Sequence, residues 1–160
     1  MKVETVELEI ERLLLLSVRV KGSITDVEYV RWLERYRAIH VAVHEKNMQL
    51  AVLYDLSDAP PLSADQRRMQ AEWNDDMDEL LHSLTIAIAF VTKSAIMRGI
   101  MTAIFWFNRP KSPHQTFSTP VEGLDWLLDY CEKRGHAISP DVRVLAHQRL
   151  LPPAPIASVG

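Results

Sequence analysis

Hydrophobic and polar positions alternate from the first residues of the chain. Val6, Leu8 and Ile10 interleave with Glu7, Glu9 and Glu11. A period of two predicts a strand with one wet face, because successive strand side chains point to opposite sides of the sheet. Leu14, Leu16, Val18 and Val20 keep the same rhythm against Ser17, Arg19 and Lys21, and Gly22 closes the run. The two runs lie close enough to pair as an antiparallel hairpin about Glu11-Arg12, although neither residue is the Gly or Asn that tight hairpin turns prefer.

The period then lengthens to three and four. Thr25-Asp26-Val27-Glu28 has the form of a capping box, in which the Thr hydroxyl and the Glu carboxylate satisfy orphan amides reciprocally. Tyr29, Trp32, Tyr36, Ile39 and Val43 follow as an apolar helical stripe, widened by Val30 and Leu33. Gln49 to Leu56 holds a continuous apolar run, Leu50-Ala51-Val52-Leu53-Tyr54, ending at Asp55, which predicts a central strand covered on both faces. A loop from Ser57 to Leu62 leads into a second capping box at Ser63 and Gln66, and its helix carries Met69, Trp73, Met77, Leu80 and Leu84. Leu84 to Val91 reads as another interior strand. Ser94 to Asn108 predicts a helix with little polar face beyond Arg98 and Thr102. Pro110 and Pro113 break it, and Gln115 to Phe117 predicts a short edge strand.

Thr119 and Glu122 form a third box, with Pro120 at the favoured first helical position. Val121, Leu124, Leu128 and Cys131 are expected to face inward, and Gly135 to cap the helix. Val142 to Leu151 is a brief amphipathic piece. Pro152-Pro153-Ala154-Pro155 cannot be helical, and the last residues are expected to be disordered.

The order is β-β-α-β-α-β-α-β-α. It predicts an α/β fold with a single mixed sheet of four to five strands and helices packed mainly on one face. One domain spans residues 1–137, with residues 138–160 as a C-terminal extension. The 160 residues, 48% of them hydrophobic, suffice for a core that needs neither disulfide nor metal. A lone cysteine suits a reducing compartment, and no charged-then-apolar leader opens the chain, so a cytoplasmic protein is expected. The apolar runs are too short to span a bilayer, which argues against stable membrane insertion. A net charge of -3 with the cations scattered among the acids argues against nucleic acid.

Candidate chemistry is sparse. His40 and His44 stand four apart with Glu45 beside them, but the zinc-protease pattern places Glu directly after the first His, and no third ligand is evident. An ordinary helix surface is the stronger reading. Asp75, Asp76, Asp78 and Glu79 read as a solvated face, and Cys131 as a small core hydrophobe. No Gly-rich phosphate loop is present, so no cofactor, metal or catalytic group is assigned, and no enzyme is expected. The loop after the Asp55 strand, with Ser57 and Ser63, lies where α/β sheets place ligand sites. Trp106, Phe107 and Arg109, ending the apolar helix, are candidate partner anchors. Self-association as a homodimer, or a small apolar ligand or lipid beside that helix, are the competing readings.

With the element order from Val3 to Arg134, Val52-Leu53-Tyr54-Asp55-Leu56 leading through a Ser-bearing loop into a helix, and Phe117 followed by Trp126-Leu127, the chain resembles the bacterial STAS/SpoIIAA-like anti-sigma-factor antagonist family. The resemblance implies a non-enzymatic regulatory or scaffolding module that contacts a protein partner, a regulator or kinase. In some members a Ser or Thr at the start of the second helix is phosphorylated. Leu62-Ser63-Ala64-Asp65 stands where such members carry Asp-Ser-Ser-Gly, so Ser63, and behind it Ser57, is the matching phosphosite by position. Asp55, Ser57, Ser63, Arg67, Trp106, Phe107 and Arg109 make up the expected partner surface.

Overall fold

The alternating N-terminal runs fold as the expected hairpin. β1 (Lys2–Ile10) pairs antiparallel with β2 (Leu13–Lys21), Ile10 lying opposite Leu13 across a two-residue turn. Glu11 takes a φ of 53°, a left-handed conformation that a side chain tolerates at a cost of about 1–2 kcal/mol. The structure, a computed structural model, describes residues 2–107 and 110–153, apart from the side chains of residues 104, 106 and 107. The expected anchors Trp106, Phe107 and Arg109, and the final residues expected to be disordered, therefore lie outside what is described.

Three crossovers follow the hairpin. α1 (Asp26–Glu45) leads to β3 (Gln49–Asp58), α2 (Ala64–Leu84) to β4 (Thr85–Val91), and α3 (Ala95–Phe107) to β5 (His114–Phe117). β2, β3, β4 and β5 are mutually parallel and follow one another in space, so the sheet is mixed, five-stranded and ordered β1-β2-β3-β4-β5. The chain ends in α4 (Pro120–Lys133) and α5 (Pro140–Leu150). The caps read from sequence form at Thr25, Ser63 and Thr119, and Ser139 adds a fourth, each side chain accepting a bond from the backbone amide three residues on. Gly135, at a φ of 90°, ends α4, and its amide and that of His136 bond back to Glu132 and Cys131.

α1, α2 and α3 pack on one face of the sheet, and α4 and α5 on the other. Successive parallel crossovers in one direction, all right-handed, must put their helices on the same side. Leu14, Leu16, Val18, Leu50 and Val52 accordingly meet Tyr29, Trp32, Leu33 and Tyr36 of α1 and Trp73 and Met77 of α2. Phe105 of α3 rests on that side too, against Phe90 and His114. The alternate residues Leu13, Leu15, Ala51, Leu53, Ala87 and Ala89 meet Leu124, Leu127, Leu128 and Cys131 of α4 and Ala146 and Leu150 of α5. Ile138 and α5 thus complete the second core, which covers that face within one chain. Within α4 the inward stripe runs through Leu127, whereas Val121 is 46% exposed.

α4 approaches the sheet closely at Gly123. A Cβ there would stand 3.0 Å from Leu53 Cδ1 and 3.1 Å from Val91 Cγ2. Gly123→Val must therefore push α4 off β3 and β4, with an expected loss of about 1–3 kcal/mol by chemical denaturation. A midpoint equal to that of the parent would contradict this packing.

Candidate partner surface

The parallel strands deliver three loops to one end of the sheet, the end at which β3, β4 and β5 finish. Asp55, near the end of β3, lies turned inward and buried. Arg19, its partner in the β2–β3 register, donates from Nε to Asp55 Oδ2 at 3.2 Å, and the Ser57 amide donates to Oδ1 at 3.1 Å. Arg19 also lies 3.6 Å from Glu4, itself flanked by Lys2 and Lys21. Hydrogen bonds from Lys2 and then Lys21 hold the Glu4 carboxyl below the usual carboxylate range. Asp55 is thus the buried end of a charge network that ties β1, β2 and β3 together. Ser57 is only half-buried as a residue, but its hydroxyl is enclosed and has no partner among the described residues.

Ser63 and Arg67 occupy the start of α2. The Ser63 hydroxyl accepts from the Gln66 amide at 3.1 Å, and the Gln66 carbonyl oxygen accepts from the Ser63 amide at 3.2 Å. Gln66 is buried, and its amide nitrogen donates to Ile24 O and Asp26 Oδ1, which locks the start of α2 to the start of α1. Ser63 itself is exposed. Arg67 reaches back to Leu62 O at 2.7 Å and is exposed as well. Of the predicted surface residues, then, Ser63 and Arg67 share one exposed helix start, while Asp55 is buried and Ser57 half-buried near the end of β3.

α3 begins at the same end of the sheet. Ser94 caps it through the Met97 amide. Its one charged side chain, Arg98, folds back to Thr92 O at 3.1 Å, Lys93 O at 3.4 Å and Ser118 Oγ at 3.5 Å. What faces outward is uncharged: Ala95, Gly99, Thr102 and Ala103 are exposed, with Ile96 at 78% and Ile100 at 39%. Ile96 and Ile100, four residues apart, thus present exposed apolar surface on α3.

The remaining candidates separate. His40 is fully buried, which corrects its reading as helix surface, whereas His44 is exposed. His40 continues the apolar stripe four residues beyond Tyr36 and three before Val43, a signal already present in the spacing. Its Nδ1 bonds the Tyr36 carbonyl at 2.8 Å, and because a carbonyl only accepts, Nδ1 carries the proton and Nε2 is bare. Burial pushes its pKa below the usual 6.5. Below about pH 6.5 the unfolded chain therefore binds the proton that the folded chain refuses, and stability falls by up to about 1.4 kcal/mol per pH unit. Above that pH the group contributes no slope. His40→Phe is expected to flatten the difference in stability between pH 5 and 7, and an unaltered slope would contradict the assignment.

No group of three metal-ligating side chains forms among the described residues. Asp75, Asp76 and Glu79 are exposed, with Asp76 near Arg37 at 3.7 Å, and Asp78 pairs with Lys111. Cys131 is buried in the second core, where its thiol is pushed up to about 12. Among the described residues no helix is long and apolar enough to cross a membrane.

Comparison with known proteins agrees with this architecture. An uncharacterised protein of the DUF3478 family with a SpoIIAA-like fold, from Shewanella loihica PV-4, superposes with a TM-score of 0.60 at 13% identity, over 78% of this chain and 93% of its own. No family model matches the sequence, and no curated protein matches it. The chain has a SpoIIAA-like fold, and at this identity the likeness concerns the fold alone.

Proposed function

We propose that this protein is a non-catalytic regulatory or scaffolding module of the STAS type, working through contacts with a protein partner. The observation that carries the reading is the uncharged outer face of α3, with Ile96 and Ile100 in solvent, at the same end of the sheet as the exposed start of α2. Exposed isoleucines in regular spacing, on a helix whose one charged side chain folds back onto neutral oxygens at its own start, suit a helix or groove on another protein better than water. Ser63 supplies a point of control. A phosphate on its hydroxyl would sit at the N-terminus of α2, where the helix dipole favours negative charge by about 0.3–1 kcal/mol, with Arg67 and Arg68 four and five residues on. The SpoIIAA-like fold supports a module of this kind, and the absence of catalytic motifs from the sequence agrees with it.

Native mass spectrometry of the protein purified gently from its own cells tests the reading. The parent should carry a second protein, and Ile96→Glu with Ile100→Glu should release it while circular dichroism stays unchanged. Retention of the same partner by the double variant would remove α3 from the interface. The competing reading is an apolar ligand or lipid beside α3.

A further inference from the structure

A groove of about 460 Å³ lies on the other face of the sheet, between β1 and the carboxyl end of α5. Its volume falls within the range of about 300–1,000 Å³ in which small-molecule sites occur. Val6, Leu150 and Leu151 supply its apolar wall, and its ionisable lining is wholly basic: Arg19, His147 and Arg149. In a chain of net charge -3 that is a local reversal of sign.

The three basic side chains differ in how far they are already engaged. His147 faces Asp125 at 2.7 Å. Arg19 sits between Asp55 and Glu4, yet that network sets three cations, Lys2, Arg19 and Lys21, against two carboxylates. Arg149 is exposed, and its recorded partner among the described residues is the neutral carbonyl of Glu7 at 3.3 Å, which uses one of its five N–H donors. That bond holds the guanidinium at the lip of the groove and leaves its charge unspent.

We propose that this groove binds a small aliphatic carboxylate, the carboxylate on Arg149 with Arg19 behind it and the hydrocarbon body along Val6, Leu150 and Leu151. The planar guanidinium presents parallel donors that match a carboxylate edge to edge, and the modest excess of positive charge suits a monoanion. This site is separate from the α3 surface, and its occupancy does not depend on the partner reading.

Titration calorimetry of the full chain with sodium octanoate tests it. Saturable one-to-one binding on the order of millimolar or tighter is expected for a ligand of this size. Octanamide, with the same body and no charge, should bind at least about tenfold more weakly, as should octanoate to Arg149→Gln, since one charge-assisted contact is worth about that factor. Lys46→Gln, which removes a cation on the opposite face, should leave the affinity unchanged. Absence of saturation at 20-fold the expected constant, equal affinity for octanamide, or full binding by Arg149→Gln with unchanged thermal stability would each overturn the proposal.

Discussion

Trp73→Ala is expected to remove about 3–5 kcal/mol of stability, the range for truncating a fully packed aromatic side chain. Trp73 joins α2 to α1. It is 6% exposed, stacks on Tyr36 at 5.2 Å between ring centroids, and donates its indole N–H to the Leu33 carbonyl at 3.1 Å. Tyr36 in turn stacks on Trp32 at 5.1 Å and meets Tyr54 of the central strand edge-on at 5.9 Å. Loss of the indole therefore opens a cavity where both helices and the sheet converge. For a domain of this size the loss corresponds to a fall in melting temperature of roughly 10 °C. Trp73→Phe, which keeps a ring but not the donor, separates the two contributions and should cost less than half as much. A thermal melt of both variants checks the order, and a Trp73→Ala midpoint within two degrees of the parent would exclude this role.

Asp55→Ala should be the next most damaging change, at about 3 kcal/mol. Side-chain exposures of 15% for Arg19 and 8% for Asp55 place the pair largely out of water, where removing one partner strands the other charge. The loss lies at the lower end of the range for buried pairs because Glu4 remains 3.6 Å from Arg19. The Ser57 amide loses its acceptor as well, so the loop that presents Ser63 should loosen. Asp55→Asn keeps that acceptor and should recover part of the loss. The double variant Arg19→Met, Asp55→Leu should be closer to the parent than Asp55→Ala, since an apolar pair replaces a half-broken ionic one. Urea denaturation of the set measures these differences, and a double variant weaker than Asp55→Ala would show that the network does more than balance charge.

Local signals carried most of the fold. Capping at Thr25, Ser63 and Thr119, the positive-φ glycine at 135 and the period-two runs of β1 and β2 depend on neighbours within four residues, so they are legible in sequence. Relations across the sheet were not. Arg19 and Asp55 are 36 residues apart, and their meeting follows from the parallel register of β2 and β3, which no local pattern sets. That register turned Asp55 from an expected surface residue into a buried one. The same holds for Arg149, whose contact with Glu7 spans 142 residues and whose groove exists only because α5 packs beside β1. His40 was legible by spacing, but imidazole polarity argued for the surface, and the one bond to Tyr36 inside the same helix let it stay in the core.

Hydrogen–deuterium exchange of the purified complex against the free chain addresses the contact surface most directly. Partner binding through α3 and the start of α2 should slow exchange in residues 94–103 and 57–67, with β1, α4 and α5 unchanged. Slowed exchange confined to α4, α5 or the free edge of β1, with 94–103 unaltered, would contradict it and move the interface to the opposite face.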